Sequence, residues 1–286
     1  MCLKEDDAEL IAAIEALGLR RSDEVLDTWF SSGLWPHSTM GWPDPTPELA
    51  FFYPTSVLIT SRDIITLWVA RMVLMSLNNM GQIPFHEVFI NPKILDAYGE
   101  AMSKTKGNGI DPLDVMEKFG ADALRFSLAR LTTETQDVRM PVQFECPHCE
   151  MLLDQTKDNR ELPRIRCPHC RGEFSTQWAR DAADQALPRG PVVSERFEEA
   201  RKFCNKLWNA ARFALLNLNG YAAEPVAAAS LQVEDRWILS RLATVTAEVT
   251  TALDSYRYAD AARTLYDFAC NEFCSFFIEK IGRAHV

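Results

Sequence analysis

Two short cysteine pairs constrain this chain more than any other feature of its sequence. The tetrapeptide CPHC occurs at 146–149 and again at 167–170, with a polar linker of 17 residues, 150–166, between them. Each pair can present two thiolates from one tight turn, so that together they supply four ligands for a tetrahedral structural zinc ion. The alternative is a redox-active dithiol, but two matched pairs in one polar segment favour metal. The predicted zinc ligands are Cys146, Cys149, Cys167 and Cys170.

Composition argues against several classes of protein. The 286 residues are 47% hydrophobic and 24% charged, as in folded globular chains of one large or two ordinary domains. No apolar run reaches the ~18 residues of a membrane span, and the acidic N-terminus lacks the pattern of an export signal. We therefore expect a cytoplasmic protein with no membrane partner. A net charge of −10 argues against a surface that attracts nucleic acid everywhere, although it permits a local basic face.

The first 140 residues alternate between helix and strand signals. Apolar spacing predicts a helix over 5–18, whereas the proline- and aromatic-rich stretch 22–54 predicts an irregular loop. The β-branched run 57–60 predicts a strand, and helical spacing follows it to about residue 80. A second strand signal follows at 88–90. This alternation is typical of parallel α/β folds, in which ligands bind beyond the carboxyl ends of the strands.

The pattern changes after residue 140. A polar segment at 141–190, rich in proline and arginine, contains both cysteine pairs, and we interpret it as an inserted zinc-ribbon-like module. Three helical patterns follow at 194–218, 233–254 and 259–278, which predicts a helical bundle. The predicted fold class is therefore α/β followed by all-α.

A small cationic loop, AMSKTKGN at 101–108, is the sharpest candidate for binding an anion. Its lysines supply mobile ammonium groups, its hydroxyls donate hydrogen bonds, and Gly107 allows a close approach of the backbone. These groups suit the charge that develops on a pyrophosphate leaving group. A loop of this composition is also commonly just solvated surface, and composition alone does not separate the two. The side chains concerned are Ser103, Lys104, Thr105 and Lys106.

The loop and the residues after it resemble a known family. AMSKTKGN followed by GIDPLDVMEKFGADALRFSLA is similar to the KMSKS loop and following helix of class I aminoacyl-tRNA synthetases. DEVLDTWFSSGLWPHSTMGWP at 23–43, DIITLWVARM at 63–72 and NKLWNAARF at 205–213 are similar to valyl-tRNA synthetases in particular. The resemblance runs over 23–277, about nine tenths of the chain. It implies the C-terminal half of a Rossmann-like class I core, joined to the start of an anticodon-binding helical bundle.

The resemblance implies an ATP-dependent valine-tRNA ligase. That family uses ATP with Mg²⁺ to activate valine as valyl-adenylate, and then transfers the valyl group to the terminal adenosine of tRNA(Val). Catalysis there is mostly electrostatic positioning. By matching position, Lys104 contacts the ATP phosphates in the transition state, and Met102 and Ser103 shape the mobile loop. Thr105 and Lys106 belong to the same ATP site, with Thr105 in place of the last serine of the motif.

Three further residues match the family's site. Asp63 matches an aspartate that contacts the adenylate, while Trp29 and Ile64 match walls of the amino-acid pocket. Without the family match, Asp63 would be an ordinary helix N-cap and the two apolar residues ordinary core. Two positions depart from the pattern: Ala101 stands in place of the first loop lysine, and Ser61 in place of a glycine. One cation of the motif is therefore missing.

These features predict the domain boundaries. We expect a partial catalytic domain at 1–140, the insertion at 141–190, a partial anticodon-binding bundle at 191–280 and an artefactual tail at 281–286. The family's HIGH-type tetrapeptide and its editing segment do not occur in the sequence. We therefore expect a piece truncated at both ends, inactive in aminoacylation by itself, with the missing N-terminal half of the enzyme as a partner.

Other interpretations remain open. The sequence is also compatible with an isoleucyl- or leucyl-type synthetase, and with a non-catalytic module in which the zinc ribbon and the bundle bind tRNA. Basic side chains on the first long helix of the bundle form either a solvated helix face or a tRNA contact. Those side chains are Arg201, Lys202, Lys206 and Arg212.

Overall fold

The computed structural model describes residues 8–20, 22–218, 220–222 and 226–279. Contacts divide the chain into two compact units, residues 1–90 and residues 91–286. None of the helices within the described ranges combines the length and the apolar character needed to cross a membrane. The tail predicted at 281–286 and the first residues of the helix predicted at 5–18 lie outside the described residues.

The first unit contains short helices and a two-stranded sheet. Its helices are α1 Ala8–Ala16, α2 Thr28–Ser38, α3 Pro47–Phe52 and α4 Ala70–Met80, and its strands are β1 Thr55–Ser61 and β2 Phe85–Asn91. Between β1 and α4 lie a 3-10 turn, Arg62–Ile64, and a π-helical stretch, Ile65–Val69. This strand–turn–helix order confirms the prediction for this segment, and β2 confirms the second strand.

The irregular loop predicted at 22–54 is wrong, because α2 and α3 lie within it. Each helix has a side chain that satisfies one of its first free N–H groups. Asp27 accepts a hydrogen bond from Trp29 N at 2.8 Å, and Thr46 accepts one from Leu49 N at 3.1 Å. Pro47 occupies the first turn of α3, where its missing N–H costs nothing.

Pro36 lies inside α2, where proline normally breaks a helix. It removes the N–H that would bond to the carbonyl of Ser32 four residues earlier. The indole Nε1 of Trp68, in the π-helical stretch, donates to that carbonyl at 3.0 Å instead. A tertiary contact therefore supplies the hydrogen bond that the sequence pattern lacks.

The second unit begins with a short parallel strand pair. The strand β3, Ile94–Leu95, pairs with β4, Val138–Arg139, and the chain between them forms α5 Pro112–Phe119 and α6 Ala121–Leu131. Their apolar faces meet a core that later residues complete. The buried members of this core are Val115, Phe119, Ala123, Met140, Val193, Phe197 and Ala200.

The segment with the cysteine pairs forms two antiparallel hairpins. The β5 and β6 strands pair around the first CPHC turn, and β7 and β8 pair around the second. Since β9 pairs with the outer edge of β5 and ends at residue 193, we call 141–193 the cysteine region. Its elements are β5 Gln143–Glu145, β6 Leu152–Asp154, β7 Arg164–Arg166, β8 Glu173–Ser175, α7 Ala182–Gln185 and β9 Val192–Val193.

The rest of the described chain is mainly helical, and we call 198–278 the helical region. Its elements are α8 Glu198–Asn217, α9 Val233–Asp254, α10 Tyr258–Asp267 and a π-helical segment, Phe268–Ile278. The three predicted helical patterns are confirmed. The burial of α8 is uneven, however: Phe203 is 8% exposed, whereas Trp208 and Leu215, on the same apolar stripe, are 72% and 70% exposed.

Candidate functional site

The loop Ala101–Asn108, here called the Lys104 loop, is closed at its base by two buried polar side chains. Asp96 is 3% exposed and Asn108 is 1% exposed. Asn108 Nδ2 donates to Asp96 Oδ2 at 2.8 Å, while Asn108 Oδ1 accepts from Ser103 N at 2.9 Å. The other Asp96 oxygen accepts the N–H groups of Tyr98 and Glu100. Both ends of the loop are thus fixed, since each buried polar group has a partner.

The tip of the loop carries the cations and hydroxyls. Ser103 Oγ and Thr105 Oγ1 lie 2.7 Å apart. Lys106 Nζ lies 3.8 Å from a carboxylate oxygen of Glu100, whose pKa is held below its usual range by hydrogen bonds from Lys157 and Arg160. Lys104 is exposed and forms no salt bridge with the described residues. The ammonium group of Lys104 is therefore available to bind an incoming anion.

The end of the loop is in contact with the cysteine region. Gly107 has a φ of +67°, and a Cβ placed there would lie 2.7 Å from Nε1 of Trp178. Gln155 Nε2 donates to the Gly107 carbonyl at 2.8 Å. Met102 and Ile110, on either side, pack against the buried core of the cysteine region. The sequence predicts that the backbone at Gly107 approaches an anion closely; in the structure, Gly107 lies against a tryptophan of the cysteine region.

Three predicted site residues lie in the first unit, one in the first turn of α2 and two in the 3-10 turn after β1. Trp29, in the first turn of α2, is half-buried, and the guanidinium of Arg71 lies 5.8 Å from the centroid of its ring. Asp63 is exposed in the 3-10 turn after β1, and Ile64 beside it is half-buried. The hydroxyl of Ser61, the departure from the family pattern, is buried without a hydrogen-bond partner among the described residues.

The four predicted zinc ligands lie together. Their sulfurs are all within 4.8 Å of one another, and all four thiols are free. Cys146 Sγ lies 3.6 Å from Cys170 Sγ, and Cys149 Sγ lies 3.7 Å from Cys167 Sγ. Zinc–sulfur bonds of about 2.3 Å in a tetrahedron would place the sulfurs about 3.8 Å apart. The sulfur spacing therefore fits a tetrahedral zinc ion.

The two cysteine turns are built alike. Glu150 N donates to Cys146 O at 2.8 Å, and Arg171 N donates to Cys167 O at 2.9 Å. Glu150 and Arg171 also share a positive φ, 59° and 61°, which side-chain-bearing residues seldom adopt. Because two unlike residues take the same unfavourable conformation, the arrangement of the cysteines sets the turn geometry rather than local preference.

Backbone N–H groups favour the first deprotonation in the cluster. The N–H of Cys170 lowers the pKa of Cys167 to about 6, aided by the N–H of His169 and opposed by burial. The N–H of Met151 lowers the pKa of Cys149 too, but burial and the neighbouring cysteines raise it to about 12. The backbone N–H groups of the second cysteine turn thus favour a thiolate at Cys167.

Sequence reasoning missed the residues that attach the cysteine region to α5. The buried carboxylate of Asp114 accepts both guanidinium Nη groups of Arg189, at 2.7 and 2.9 Å, and the N–H of Val192 at 2.8 Å. The hydrogen bond to Asp114 raises the pKa of Arg189. Lys118 pairs with Glu145 at 2.7 Å. An acid in an amphipathic helix gives no signal of such a role, because most are solvated.

Three of the four basic side chains singled out on α8 bond within the chain. Lys206 Nζ donates to Cys270 O and Ser275 Oγ, both at 3.1 Å. Arg201 donates to the carbonyl of Lys118 at 2.7 Å, and Lys202 pairs with Glu198 one turn away. Arg212 is exposed. The helix is therefore neither an evenly solvated face nor a continuous row of free cations.

The chain matches two protein-family models. The model described as tRNA synthetases class I (I, L, M and V) matches residues 3–141, and the anticodon-binding domain of tRNA ligase matches residues 235–285. A valine–tRNA ligase of Rhodopirellula baltica is 65% identical over 98% of this chain and 27% of that protein. The corresponding protein of Geobacter sulfurreducens is 42% identical over 96% of this chain and 25% of that protein.

Two solved structures share the fold. A leucyl-tRNA synthetase of Agrobacterium radiobacter K84, solved in a ternary complex with tRNA, has a TM-score of 0.61 and 18% identity, covering 92% of this chain and 28% of that one. The methionyl-tRNA synthetase of Mycobacterium tuberculosis has a TM-score of 0.52, covering 86% and 38%. The chain spans about a quarter of the length of the curated relatives it matches. By sequence and fold, it belongs to the class I aminoacyl-tRNA synthetases, within the valine–tRNA ligase family.

Proposed function

We propose that this chain supplies the phosphate-contacting part of a valine–tRNA ligase. The reaction joins valine to ATP as valyl-adenylate and then transfers the valyl group to tRNA(Val), a step of protein synthesis in the cytoplasm. The observation that carries the proposal is the exposed ammonium of Lys104, which forms no salt bridge within the described part of the chain and lies on a loop with a buried base. Identity of 65% to a valine–tRNA ligase supports the choice of amino acid.

The loop fits the needs of adenylate formation. A carboxylate oxygen of valine attacks the α-phosphorus of ATP, and the bond from that phosphorus to the bridging oxygen breaks, so pyrophosphate leaves with increased charge. Lys104 would neutralise that charge, and the hydroxyls of Ser103 and Thr105 would donate hydrogen bonds to it. Mg²⁺ would enter with ATP as its counter-ion. Because Lys106 also faces Glu100, we assign it a weaker part.

Other residues would recognise the adenylate and the amino acid. We propose that Asp63 accepts hydrogen bonds from the adenylate, and that Trp29 and Ile64 line an apolar pocket for the branched side chain of valine. The helical region would bind tRNA, as the match of 235–285 to an anticodon-binding domain supports. A pocket of this kind separates substrates by size.

We propose a structural role for zinc in the cysteine region. The ligands would be Cys146, Cys149, Cys167 and Cys170, whose spacing fits a tetrahedron. With four protein ligands, a zinc ion has no open position for substrate, so its contribution is to folding. The cysteine side chains would join the two hairpins, and the backbone N–H groups would stabilise the thiolate charge.

A chimeric enzyme tests the proposal. This chain would replace the matching quarter of the Rhodopirellula baltica protein, and valine-dependent exchange between pyrophosphate and ATP would be measured. We expect exchange with valine, and a loss of about 100- to 1,000-fold in kcat for Lys104→Ala, as for removal of one transition-state donor. Lys202→Ala, on an exposed helix pair, is the matched control and should keep full activity.

Two outcomes would contradict the proposal. If the chimera lacks exchange while the parent enzyme is active, this chain does not supply a working ATP site. If isoleucine or leucine supports exchange better than valine, the amino-acid assignment is wrong and a related synthetase specificity replaces it.

A further inference from the structure

We infer that Gln155 and Trp178, both in the cysteine region, are positioning residues for the Lys104 loop. The inference rests on the proposed function for its catalytic consequence. Its structural part is independent of that function, because it concerns how the loop is held. Neither residue belongs to the loop or to the four-cysteine cluster.

The first observation is a buried hydrogen bond at the end of the loop. Gln155, 8% exposed, donates from Nε2 to the carbonyl of Gly107 at 2.8 Å, and its own N–H is fixed to Val142 O at 2.9 Å. The N–H of Gly107 donates in turn to the carbonyl of Lys104 at 3.3 Å. The Gly107 residue therefore links the cysteine region directly to the backbone that presents the Lys104 ammonium.

The second observation is steric. A Cβ on Gly107 would lie 2.7 Å from Nε1 and 2.9 Å from Cζ2 of Trp178, so the indole lies directly against this residue. The indole N–H is buried and has no hydrogen-bond partner among the described residues. A buried donor without a partner costs free energy, so its retention calls for a compensating role. Packing against the loop end is the contact that Trp178 makes here.

The two positioning residues extend from different cysteine hairpins. Gln155 directly follows β6, whose hairpin carries Cys146 and Cys149, and Trp178 lies three residues after β8, whose hairpin carries Cys167 and Cys170. The cysteine cluster is where the two hairpins meet. An ion bound there would hold both hairpins, and with them both contacts to Gly107, in one arrangement. The cluster would thus set the orientation of the Lys104 loop without touching substrate.

The first experiment reads loop order rather than activity. Trypsin cleaves after lysine, so the initial rate of cleavage after Lys104 in the zinc-loaded 286-residue chain, followed by mass spectrometry, reports how often the loop opens. Gln155→Leu and Trp178→Ala should each raise that rate roughly fivefold, as expected for the loss of one buried contact. Removing zinc should raise it in the unmodified chain too. Leu162→Ala is the control, since this side chain is exposed in the same region.

The second experiment uses the chimeric enzyme. Gln155→Leu and Trp178→Ala should lower kcat for pyrophosphate exchange roughly tenfold, with KM for valine unchanged, because the displaced group is the lysine that acts in the transition state. Trp178→Phe, which keeps an aromatic ring against Gly107, should recover most of the rate. A general loss of folding would instead lower zinc content and activity together, without this split.

The outcomes separate the two proposals. Unchanged cleavage and unchanged kcat in both variants, with zinc retained, would overturn the inference. Faster cleavage of both variants, together with a chimera that shows no valine-dependent exchange, would support the positioning role and contradict the proposed function. If either variant loses zinc, Gly107→Ala tests the same contact from the loop side, and normal cleavage there would equally overturn the inference.

Discussion

The cysteine region and the helical region lie side by side in the sequence but bury their apolar residues in different ways. The cysteine region has strands of two or three residues and one small core, and two of the six buried side chains in that core are cysteines, Cys146 and Cys167. The helical region has long helices and many apolar side chains, yet Trp208 and Leu215 are mostly exposed. A groove of about 880 Å³, lined mainly by apolar side chains, also runs along it.

This difference indicates what stabilises the fold of each region. Two short hairpins bury little apolar surface to offset the loss of chain entropy, so we propose that a metal ion at the cysteine cluster contributes to the folding of this region. The helical region can rely on apolar burial, but that burial is uneven along its helices. Changes to the cysteine cluster should therefore affect the whole cysteine region. In the helical region, the effect of a substitution should depend on the position that is changed.

The largest expected effect is the loss of the cysteine cluster. Cys167→Ser, or treatment with a strong chelator, should remove a metal-binding free energy of about 10–16 kcal/mol from the folding of the cysteine region. We expect amide hydrogen exchange to become fast across 141–193 and to stay slow in α9 and α10. The zinc content of the purified chain, measured by elemental mass spectrometry, should fall from about one to zero per chain. Equal loss of protection in both regions would show that the comparison is wrong and that they fold as one.

The next effect is in the helical region, at its best-packed aromatic residue. Phe203 is 8% exposed and packs against the tilted rings of Phe126 and Tyr266, with centroid distances of 4.6 and 5.1 Å. Phe203→Ala should cost about 3–5 kcal/mol through lost burial and the cavity that remains. Urea unfolding followed by circular dichroism would measure it, and zinc content should not change. A loss below about 1 kcal/mol would mean that this core is already loose.

The same contrast explains which parts of the fold and of the candidate site could be predicted from the sequence. The cluster was predictable because its ligand spacing is local, and the helices were predictable because their 3.6-residue period is local. Lys104 was proposed from a short motif. Gln155 and Trp178 were not, because their role depends on a contact with Gly107, which lies 48 residues before Gln155 and leaves no mark in a local pattern.

The prediction for 22–54 missed α2 and α3 for a related reason. The prolines in 22–54 indicate loop in isolation, and only the structure shows that Trp68 satisfies the carbonyl freed by Pro36. Apolar periodicity likewise predicts a stripe on α8 but does not say how much of it is covered. Local sequence patterns therefore predicted helices, strands and the type of metal ligand. The burial of side chains and the anchoring of the Lys104 loop depend on long-range contacts, which local patterns do not contain.

A smaller effect should follow from pH in the helical region. Arg241 on α9 makes a bidentate pair with Glu272, at 2.7 and 2.8 Å, and these hydrogen bonds lower the pKa of Glu272 below its usual value. Because the folded pKa is lowered, the pair stabilises the fold above the ordinary glutamate pKa and loses that contribution as pH falls through the folded value. We expect Glu272→Gln to cost about 0.2–1 kcal/mol at pH 7 and nothing at low pH. A cost independent of pH would assign the effect to packing instead.

The smallest expected effect tests the exposed half of the α8 stripe directly. Trp208 is 72% exposed and lies on the same helix as Phe203, so Trp208→Ser should change the free energy of unfolding by no more than about 0.5 kcal/mol. The same urea experiment measures both variants, with Phe203→Ala as the positive reference. A cost of about 2 kcal/mol or more would mean that Trp208 is covered in solution, since exposed side chains rarely contribute that much. Repeating the measurement at several protein concentrations would then decide whether a second copy covers it, because only self-association makes the unfolding midpoint depend on concentration.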